Sequence, residues 1–270
     1  MKNRMIAVTT NCYHGYSVEE AIAGIKAAGF KYVELTAMKG WVEHVFPDHS
    51  FEQLLKVKDL MDEAGMKAIG MSGHVSLLDS GKREDFVKNI RLAKFFDIPC
   101  IVTFVGEPAE GEGELSMEEM VERIRSVLPE LEKYDITMTL EVAGKQSSGV
   151  AVKEIVEKVN SPRVTIAYDT ANAIFYGDVD TMQDLGACLD KVSYIHIKEK
   201  AAGRQEWSFP ALGQGYVPFS EVFALVDEAD NASPYVVEIE FTPEGAGSLQ
   251  AVNQAVLDSA NYLKAKGFVL

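Results

Sequence analysis

The sequence predicts a (β/α)8 barrel, in which eight parallel strands each lead into a helix. Eight short runs rich in Val, Ile, Leu, Thr and Tyr alternate with amphipathic segments along the chain. Most runs are almost continuously apolar, as expected for parallel strands covered on both faces. The 270-residue length is close to the roughly 250 residues typical of this fold. The predicted strands are Met5–Thr10, Tyr32–Leu35, Ala68–Met71, Cys100–Phe104, Thr137–Val142, Val164–Tyr168, Val192–Ile197 and Tyr235–Ile239.

Helical periodicity fills the intervals between these runs. The first helix begins at an N-cap serine, Ser17, and Glu20 three residues later completes a capping box. Gly29 and Gly65 follow two of the periodic segments and are typical of residues that end helices. The stronger predicted helices are Ser17–Ala28, Phe51–Ala64, Arg83–Phe96, Met117–Tyr134, Val152–Val159 and Leu249–Ala265, and weaker patterns cover Thr181–Cys188 and Phe219–Asp227.

A doubly wound α/β sheet is the alternative fold class. It usually needs fewer strands, and the chain lacks the glycine-rich first turn of a dinucleotide-binding fold. No linker rich in Pro, Ser or Gly divides the sequence, so we expect one domain over residues 1–270. The longest stretch without periodicity, Glu199–Val217, follows the seventh strand and is a candidate active-site loop.

Composition narrows the functional classes. The chain has 26 Lys and Arg against 41 Asp and Glu, a formal net charge of −15. Because phosphate backbones are bound by clustered basic residues, this balance argues against nucleic acid as a partner. No apolar run approaches the roughly 20 residues of a membrane span, and the N-terminal residues are too polar for a secretory signal. The 3 cysteines form no CxxC pair, so a reducing cytoplasm is the expected location.

Polar residues end four consecutive predicted strands: Glu141, Asp169, His196 and Glu238. In a (β/α)8 barrel the chemistry lies at the carboxyl ends of the strands. Three carboxylates pointing into one barrel mouth repel each other unless a cation joins them. Three carboxylates with one imidazole suit Mn²⁺, Mg²⁺ or Co²⁺. Each residue alone also fits a helix cap, a loop ion pair or a core histidine, so the coincidence of all four is what favours a metal site.

Five segments carry a family resemblance: SVEEAIAGIKAAGFKYVELT near the start, then LEVAG, YDTAN, IHIKEK and SPYVVEIEF. In this order and spacing they resemble the xylose isomerase-like barrel superfamily, which includes sugar isomerases and epimerases, inosose dehydratases and type IV endonucleases. The resemblance covers almost the whole chain. It implies that Glu141, Asp169, His196 and Glu238 bind one divalent metal ion, either Mn, Mg, Co or Zn. Glu238 fits the last family motif better than Glu240, because three apolar residues precede it after a proline.

Other residues are candidates for contact with substrate, and two of them, His74 and Glu34, follow from the same resemblance. His74 ends the third strand, where the family often places a substrate-facing histidine, and a loop histidine is an equal interpretation. Lys198 lies two residues beyond a proposed ligand, so it shares that face and either neutralises an oxyanion or pairs with a carboxylate. Glu34 resembles a second-strand glutamate that binds substrate or Arg at the rim. In the long loop, Arg204 is a weak candidate clamp and Trp207 a candidate stacking surface.

One position departs from the family pattern. The family often has DxxH after the second ligand, whereas this chain has Asp169-Thr-Ala-Asn172. Asn172 can hydrogen-bond a substrate hydroxyl but is a poor metal ligand, so it joins the predicted substrate-binding residues. The endonucleases hold three zinc ions with a denser set of histidines, and the 5 histidines here lie mostly in the first third of the chain. A DNA-repair role is therefore disfavoured.

The leading functional hypothesis is a metal-dependent sugar isomerase or epimerase. The metal would polarise a substrate carbonyl, and Glu141 and Glu238 would move the α-proton through an enediolate as an acid/base pair. Loss of a β-hydroxyl from the same intermediate gives dehydration, so a lyase of the inosose dehydratase type is the alternative, and a non-catalytic sugar-binding barrel is another. The expected partner is a small carbohydrate. The sugar, its phosphorylation, the preferred metal and homo-oligomerisation are left open.

Overall fold

The computed structural model describes residues 4–270. The strands are β1 Ile6–Thr9, β2 Tyr32–Met38, β3 Val42–Glu43, β4 Lys67–Ser72, β5 Cys100–Thr103, β6 Thr137–Glu141, β7 Val164–Asp169, β8 Val192–Lys198 and β9 Tyr235–Glu238. Every strand except β3 belongs to one parallel sheet, in the order β1-β9-β8-β7-β6-β5-β4-β2, and β2 pairs back with β1. This closed sheet confirms the predicted (β/α)8 barrel and excludes the doubly wound alternative.

The barrel closes through β1, which lies between the second and the last strand. Ala7 is in register with Tyr32 on one side and with Val236 on the other. The short β3 pairs antiparallel with the end of β2 and forms a hairpin at the barrel mouth. All eight predicted strands are therefore present, and their bounds differ from the prediction by three residues or fewer.

Helices surround the barrel in the described part of the chain. They are α1 Val18–Ala28, α2 Phe51–Ala64, α3 Arg83–Phe95, α4 Met117–Arg125, α5 Leu128–Tyr134, α6 Gly149–Val159, α7 Thr170–Phe175, α8 Thr181–Cys188, α9 Phe219–Glu228 and α10 Leu249–Ala265. The predicted capping box of α1 is present, with Ser17 and Glu20 each bonded to the backbone of the other. Gly29 and Gly65 end α1 and α2 in the left-handed conformation that favours glycine.

Two features differ from the predicted helices. The single helix expected over Met117–Tyr134 is wrong, because the chain breaks between α4 and α5. Pro129 lies in the first turn of α5, where its missing N–H is tolerated, whereas in the middle of a continuous helix it would remove a hydrogen bond and clash with the preceding turn. The six-residue α7 is too short to show helical periodicity, and it starts directly after Asp169.

The barrel interior changes character along its axis. Its lower part is an apolar layer of six buried side chains, Ala7, Ile69, Val102, Ala167, Tyr194 and Val236. Tyr194 reaches across to β4, where a Cβ on Gly70 would lie 2.2 Å from the tyrosine hydroxyl, so only glycine fits there. A larger apolar layer fills the space between strands and helices. The base of the barrel is thus a packed core rather than a channel.

Above this apolar layer the inward-facing residues become charged. Because side chains alternate along a strand, Tyr194, His196 and Lys198 of β8 all point into the barrel, at successively higher levels. In β9, Val236 belongs to the apolar layer and Glu238 stands above it. The same change from an apolar to a charged side chain occurs in β7 between Ala167 and Asp169. The carboxyl end of the barrel therefore holds the polar cluster that the sequence predicts.

No helix within residues 4–270 is both long enough and apolar enough to cross a membrane.

Candidate metal centre

Four side chains from neighbouring strands meet at the floor of the barrel mouth. Glu141, Asp169, His196 and Glu238 each offer one ligand atom, and these four atoms lie within 4.8 Å of one another. All four side chains are buried. Glu141, Asp169 and Glu238 are the last residues of β6, β7 and β9, so the pairing of the strands fixes their positions along the barrel axis. The structure brings together the four residues predicted as metal ligands.

The second carboxylate is held by the helix that follows it. Oδ1 of Asp169 accepts hydrogen bonds from the backbone N–H groups of Ala171 and Asn172, at 2.9 and 2.8 Å, and so caps α7. Its other oxygen, Oδ2, is buried and has no hydrogen-bond partner in the described chain. A buried carboxylate oxygen without a partner costs free energy, and here it points into the cluster.

The imidazole of His196 turns its two nitrogens to different partners. Nδ1 lies 2.7 Å from Oε1 of Glu141, 3.4 Å from Oε2 of Glu238 and 3.9 Å from Oδ2 of Asp169. This nitrogen therefore faces the cluster. Nε2 lies 3.1 Å from Oε2 of Glu34 on the opposite side of the ring.

Glu34 lies behind the imidazole and not at the rim. Its side chain is fully buried in β2, beneath the cluster, and is not among the residues that line the pocket above. The family-based expectation of a rim residue binding substrate does not match this position. A carboxylate bonded to the outer nitrogen of a ligand histidine fixes the orientation and tautomer of the ring. Glu34 is placed to do this for His196.

A second histidine contacts the first carboxylate from across the mouth. Nε2 of His74 lies 2.7 Å from Oε2 of Glu141, and its Nδ1 lies 2.9 Å from the hydroxyl of Ser72. Both oxygens of Glu141 are therefore engaged, one by each histidine. Burial raises the pKa of Glu141, but the charge of His74 and hydrogen bonds from both histidines outweigh burial and hold the pKa well below its ordinary value.

Lys198 is a buried cation on the other side of the cluster. Its Nζ lies 2.5 Å from Oε2 of Glu240, 3.5 Å from Oε2 of Glu238 and 3.9 Å from Oδ2 of Asp169. It also donates to Oδ1 of Asn172 at 3.3 Å. Burial disfavours its charged form, but these carboxylates outweigh burial and raise the pKa of Lys198 well above its ordinary value.

The two glutamates at the end of the last strand have different partners. Glu238 belongs to the four-residue cluster, whereas Glu240 forms the short ion pair with Lys198. The Nδ2 group of Asn11 bridges the two carboxylates, donating to Glu238 at 2.7 Å and to Glu240 at 3.2 Å. The geometry therefore agrees with the choice of Glu238 as the fourth ligand, and it places Glu240 beside the ligand set.

Burial and mutual repulsion shift the ionisation of the cluster. Burial raises the pKa of Asp169 well above its ordinary value, and the charge of Lys198 opposes this only in part. Burial also raises the pKa of Glu238, but the charges of Lys198 and His196 outweigh burial, so the net shift of this pKa is downward. For His196 burial lowers the pKa, while the carboxylates of Glu34 and Glu238 raise it more, so the net shift is upward. Such opposed shifts are typical of functional sites.

The donor set fits a divalent cation. Three carboxylate oxygens and one imidazole nitrogen are ligands that Mn²⁺, Mg²⁺, Co²⁺ and Zn²⁺ accept. Ligands about 2.1 Å from an ion lie up to about 4.2 Å apart, so the observed 4.8 Å limit needs only a small contraction. Oδ2 of Asp169, buried and without a hydrogen bond to any described residue, is the atom that a cation would satisfy.

A pocket of about 480 Å³ opens above the cluster. Of the predicted site residues, Glu141, His74, Asn172, Lys198 and Glu238 line it. This volume lies within the range of about 300–1,000 Å³ found for small-molecule sites. Two of the four candidate ligands, Glu141 and Glu238, thus line an open site, and the predicted substrate-binding residues His74, Asn172 and Lys198 form part of its wall.

Aromatic side chains surround the pocket mouth: Trp41, Phe104, Tyr176 and Trp207. Trp207 is the one that the sequence pointed to, as a stacking candidate in the long loop. Trp41 lies in the β2–β3 hairpin, and its indole N–H donates to Oδ1 of Asn11 at 3.0 Å. Asn11, which follows β1, was assigned no role from the sequence. No local pattern marks Trp41.

The predicted clamp Arg204 lies away from this pocket. Its guanidinium pairs with Asp178 and donates to the carbonyl oxygen of Val179 at 2.7 Å, on the exposed surface. It is not among the residues that line the pocket. The loop that contains it turns Arg204 outward and Trp207 inward, so the two residues predicted from this loop have different surroundings.

Two buried charged residues hold the long loop, residues 199–217, in place. The carboxylate of Glu199 accepts three backbone N–H groups, two of them from the far end of the loop. The ammonium of Lys200 donates to three backbone carbonyl oxygens at the near end. Both side chains are almost completely buried. The loop therefore forms a fixed wall that presents Trp207 to the pocket.

The family assignment follows from the sequence model of the xylose isomerase-like TIM barrel, which matches residues 22–265. The matched region spans most of the chain and includes the four residues of the cluster. The chain belongs to the xylose isomerase-like TIM barrel family. A search of curated proteins finds no match to the sequence.

Solved structures share the fold at low sequence identity. A D-allulose 3-epimerase from Methylomonas sp. in complex with D-allulose has a TM-score of 0.75 and 18% identity, covering 98% of this chain and 98% of that chain. The IOLI protein, solved with a zinc atom bound, has a TM-score of 0.76 and 16% identity, covering 98% and 100%. A protein assigned as a 3-DHS dehydratase, from Bacillus anthracis, has a TM-score of 0.72 and 15% identity, covering 96% and 98%. At these identities the likeness shows the fold alone.

Proposed function

We propose that this chain is a divalent-metal-dependent sugar isomerase or epimerase. The observation that carries the proposal is the convergence of three carboxylates and Nδ1 of a histidine within 4.8 Å, at an open pocket that two of the carboxylates, Glu141 and Glu238, line. The family assignment supports it, as does the similarity in fold to a D-allulose 3-epimerase and to a zinc-binding relative. The substrate class follows as a small sugar or keto-polyol.

Glu141, Asp169, His196 and Glu238 would hold the ion. When bound, a divalent cation at this position would polarise a substrate carbonyl and make the neighbouring C–H more acidic. The protein supplies the geometry, because three of the ligands end barrel strands and the fourth lies in the interior of β8. Sites built on strands keep their ligands in place more strictly than sites built on loops.

Proton transfer falls to the two glutamates of the cluster. Glu141 and Glu238 come from β6 and β9, so they approach a substrate in the mouth from different directions. One removes the α-proton, which leaves an enediolate, and the other returns a proton to the opposite face or to the adjacent carbon. Return to the opposite face gives an epimer, and return to the adjacent carbon gives an isomer. His74, bonded to Glu141, is placed to shift its basicity during the transfer.

Lys198 stabilises the negative charge that develops on substrate oxygen. Lys198 lines the pocket and is 2% exposed as a residue, so its charge is little screened by water. Glu240 and Asn172 hold it at 2.5 and 3.3 Å and keep it aimed at the mouth. A positioned cation beside a developing oxyanion is a common source of transition-state stabilisation.

Metal content and product analysis test this proposal together. Protein purified without chelators is analysed by elemental mass spectrometry, and we expect about one Mn, Co, Zn or Mg ion per chain. The same protein is incubated in D2O with ketoses, aldoses and inososes, and NMR follows the appearance of products and the exchange of C–H for C–D. An isomer or epimer with deuterium at the new centre is the expected result.

Glu141→Gln and Glu238→Gln are the matched variants, since each keeps the size of the side chain and removes its charge. Both should fold and lose turnover. Near-normal rates in both variants would contradict the acid/base assignment. An unsaturated dehydration product would assign the chain to the lyase alternative, which uses the same residues. Metal-free protein that gains no activity with Mn²⁺ or Co²⁺ would leave a non-catalytic sugar-binding barrel.

A further inference from the structure

Asn11 joins a candidate metal ligand to the wall of the pocket. It lies in the short turn that follows β1, and as a residue it is only 4% exposed. Its Nδ2 donates to Oε1 of Glu238 at 2.7 Å and to Oε1 of Glu240 at 3.2 Å. Its Oδ1 accepts from the indole N–H of Trp41 at 3.0 Å. One amide therefore connects a candidate ligand, the neighbouring carboxylate and an aromatic residue of the pocket mouth.

The chemistry of the three partners fixes the orientation of this amide. An indole N–H only donates and an ionised carboxylate only accepts, so a reversed amide would place donor against donor and acceptor against acceptor. The backbone is fixed as well, because the N–H of Asn11 donates to the hydroxyl of Thr9 at 3.3 Å and its carbonyl oxygen accepts from the N–H of His14 at 3.0 Å. A movement of Glu238 therefore either reaches Trp41 through the amide or breaks a hydrogen bond.

Trp41 depends on directional contacts for its position. It is 47% exposed, so burial alone holds it weakly. It lies in the turn between β2 and β3, and its ring stacks on the ring of His14 with 4.1 Å between the centroids. His14 is three residues beyond Asn11, so the segment after β1 holds both the N–H and one face of the indole. The position of Trp41 in the pocket wall thus follows the position of this segment and of its amide.

Glu238 is the side chain that would transmit metal binding to the amide. The four ligand atoms lie within 4.8 Å of one another and need a small contraction to surround a cation. With a cation bound, Glu238 shares its charge with the ion and attracts the amide N–H less strongly. Glu240 is not one of the four ligands and keeps its ion pair with Lys198 at 2.5 Å. The balance between the two acceptors of the amide therefore changes when the site is occupied.

We propose that Asn11 is a positioning residue that couples occupation of the metal site to the position of Trp41 in the wall of the substrate pocket. This inference rests on the proposed function for the presence of the ion, but it requires no turnover and no particular sugar. Coupling between two sites is reciprocal in binding free energy, so the link to Trp41 also changes the affinity for the ion. Substrate then meets an aromatic wall that is set by the metal-loaded centre.

Nuclear magnetic resonance of the indole N–H groups tests the coupling on the whole chain. The chain has 2 tryptophans, so isotope-labelled protein gives two indole signals, and a Trp41→Phe variant assigns them. Mg²⁺ and Zn²⁺ are the probes, because both ions are diamagnetic. We expect the Trp41 signal to move saturably, with a midpoint equal to the Kd from calorimetric titration. The Trp207 signal should move less, since this ring packs on Phe175 and Phe209.

Three variants separate the coupling from a general effect on the fold. Asn11→Leu removes the side-chain hydrogen bonds at a similar size, so its Trp41 signal should no longer follow metal binding, and a parental Trp207 signal checks the fold. Trp41→Phe keeps a ring but loses the N–H, so the amide can turn and Glu238 loses a fixed donor. Its metal affinity should fall about fivefold, at the low end of couplings between sites. Trp207→Phe is the matched control and should bind metal like the parent protein.

Three results would overturn the inference while the proposed function stands. They are a Trp41 signal that stays fixed while calorimetry shows metal binding, a movement that persists in Asn11→Leu, and a parental metal affinity in Trp41→Phe. Metal binding without any isomer or epimer as product would instead contradict the proposed function, and the movement of the Trp41 signal would still decide the coupling. Protein that binds neither ion would overturn both proposals.

Discussion

The two halves of the barrel mouth contribute different kinds of groups. Strands β6 to β9 provide the four candidate ligands, and three of these are the last residues of their strands. On the opposite half, β1, β2 and β4 bring Asn11, Glu34 and His74, which bond to those ligands from outside. One half can bind the ion, and the other half orients the residues that bind it. This division indicates that substitutions on the two halves should have different effects.

The same comparison extends to charge. The ligand half places Asp169, Glu141 and Glu238 close together, and it also supplies Lys198 as a counter-charge. The orienting half offers histidine and amide groups, and its carboxylate Glu34 bonds to the imidazole of His196. Removing a ligand should therefore abolish metal binding, whereas removing an orienting residue should weaken it.

The largest expected effect is that of Asp169→Asn. Asparagine keeps an oxygen that can cap α7, so the helix after β7 should survive. It removes Oδ2, the carboxylate oxygen that has no hydrogen-bond partner among the described residues. We expect loss of bound metal and of turnover, with metal affinity reduced by more than the 10–100-fold typical of indirect positions. Calorimetric titration with Mn²⁺ measures the affinity, and circular dichroism checks the fold.

The matched control is Asp178→Asn, which changes an exposed carboxylate whose ion pair within residues 4–270 is with Arg204. It should bind metal like the parent protein. Unchanged metal content in Asp169→Asn would contradict the assignment of the ligand half.

Lys198→Met should have the next largest effect. It should change metal affinity and turnover in opposite directions, so it separates metal binding from the chemical step. Removing a cation from among three carboxylates leaves their charge uncompensated, so metal affinity should rise. Turnover should fall by about 10²–10³, as when one group that stabilises an oxyanion is removed. Metal titration and steady-state kinetics on the same preparation measure the two effects.

A double variant, Lys198→Met/Glu240→Gln, removes both members of the ion pair and limits the cost of an unpaired buried charge. Recovery of stability without recovery of turnover would support the catalytic role of Lys198. Parental turnover in the double variant would instead show that the lysine only neutralises Glu240.

The sequence was informative about the ligand half for a physical reason. A strand covered on both faces is an apolar run, so the first polar inward-facing residue marks the end of the strand, and Asp169 and Glu238 are visible without tertiary structure. The strand bounds were predicted well because the same runs define them. Glu34 was misplaced because its partner, His196, is 162 residues away, and only closure of the barrel brings them together.

The remaining differences between the predicted and the observed structure have local causes. The six-residue α7 is shorter than two helical turns, so periodicity cannot reveal it. The break before α5 was present in the sequence as Pro129, but the apolar spacing continues across it. Trp41 reaches the mouth on a hairpin whose direction depends on the pairing of β3 with β2. Residues carried by loops were therefore the hardest to assign to the site.

Glu34→Gln tests the orienting half, with an intermediate effect. Glutamine keeps an oxygen that can accept from Nε2 of His196 but loses the charge that aligns the ring. We expect metal affinity to fall by about 10–100-fold, the range for partners of ligand histidines. The metal affinity of Glu34→Ala should fall further, because this variant removes the acceptor and leaves the ring nitrogen unpaired. Mn²⁺ titration ranks the three proteins, and an affinity for Glu34→Gln equal to that of the parent would contradict the positioning role.

The smallest effect is expected for Arg204→Ala. This variant is informative when it is compared with a variant of Trp207, which lies in the same loop. Arg204 is exposed, and its bonds among the described residues are to Asp178 and the backbone of Val179, so its loss should change stability by no more than about 0.5 kcal/mol. Trp207 lines the pocket, and Trp207→Ala should raise KM by about tenfold. Steady-state kinetics on both variants measure this difference. Glu199 and Lys200 hold both ends of the loop through six hydrogen bonds to the backbone, so we expect the loop to keep Arg204 outside the pocket. A raised KM in Arg204→Ala would contradict this, because it would mean that the loop turns the Arg204 side chain inward when substrate binds.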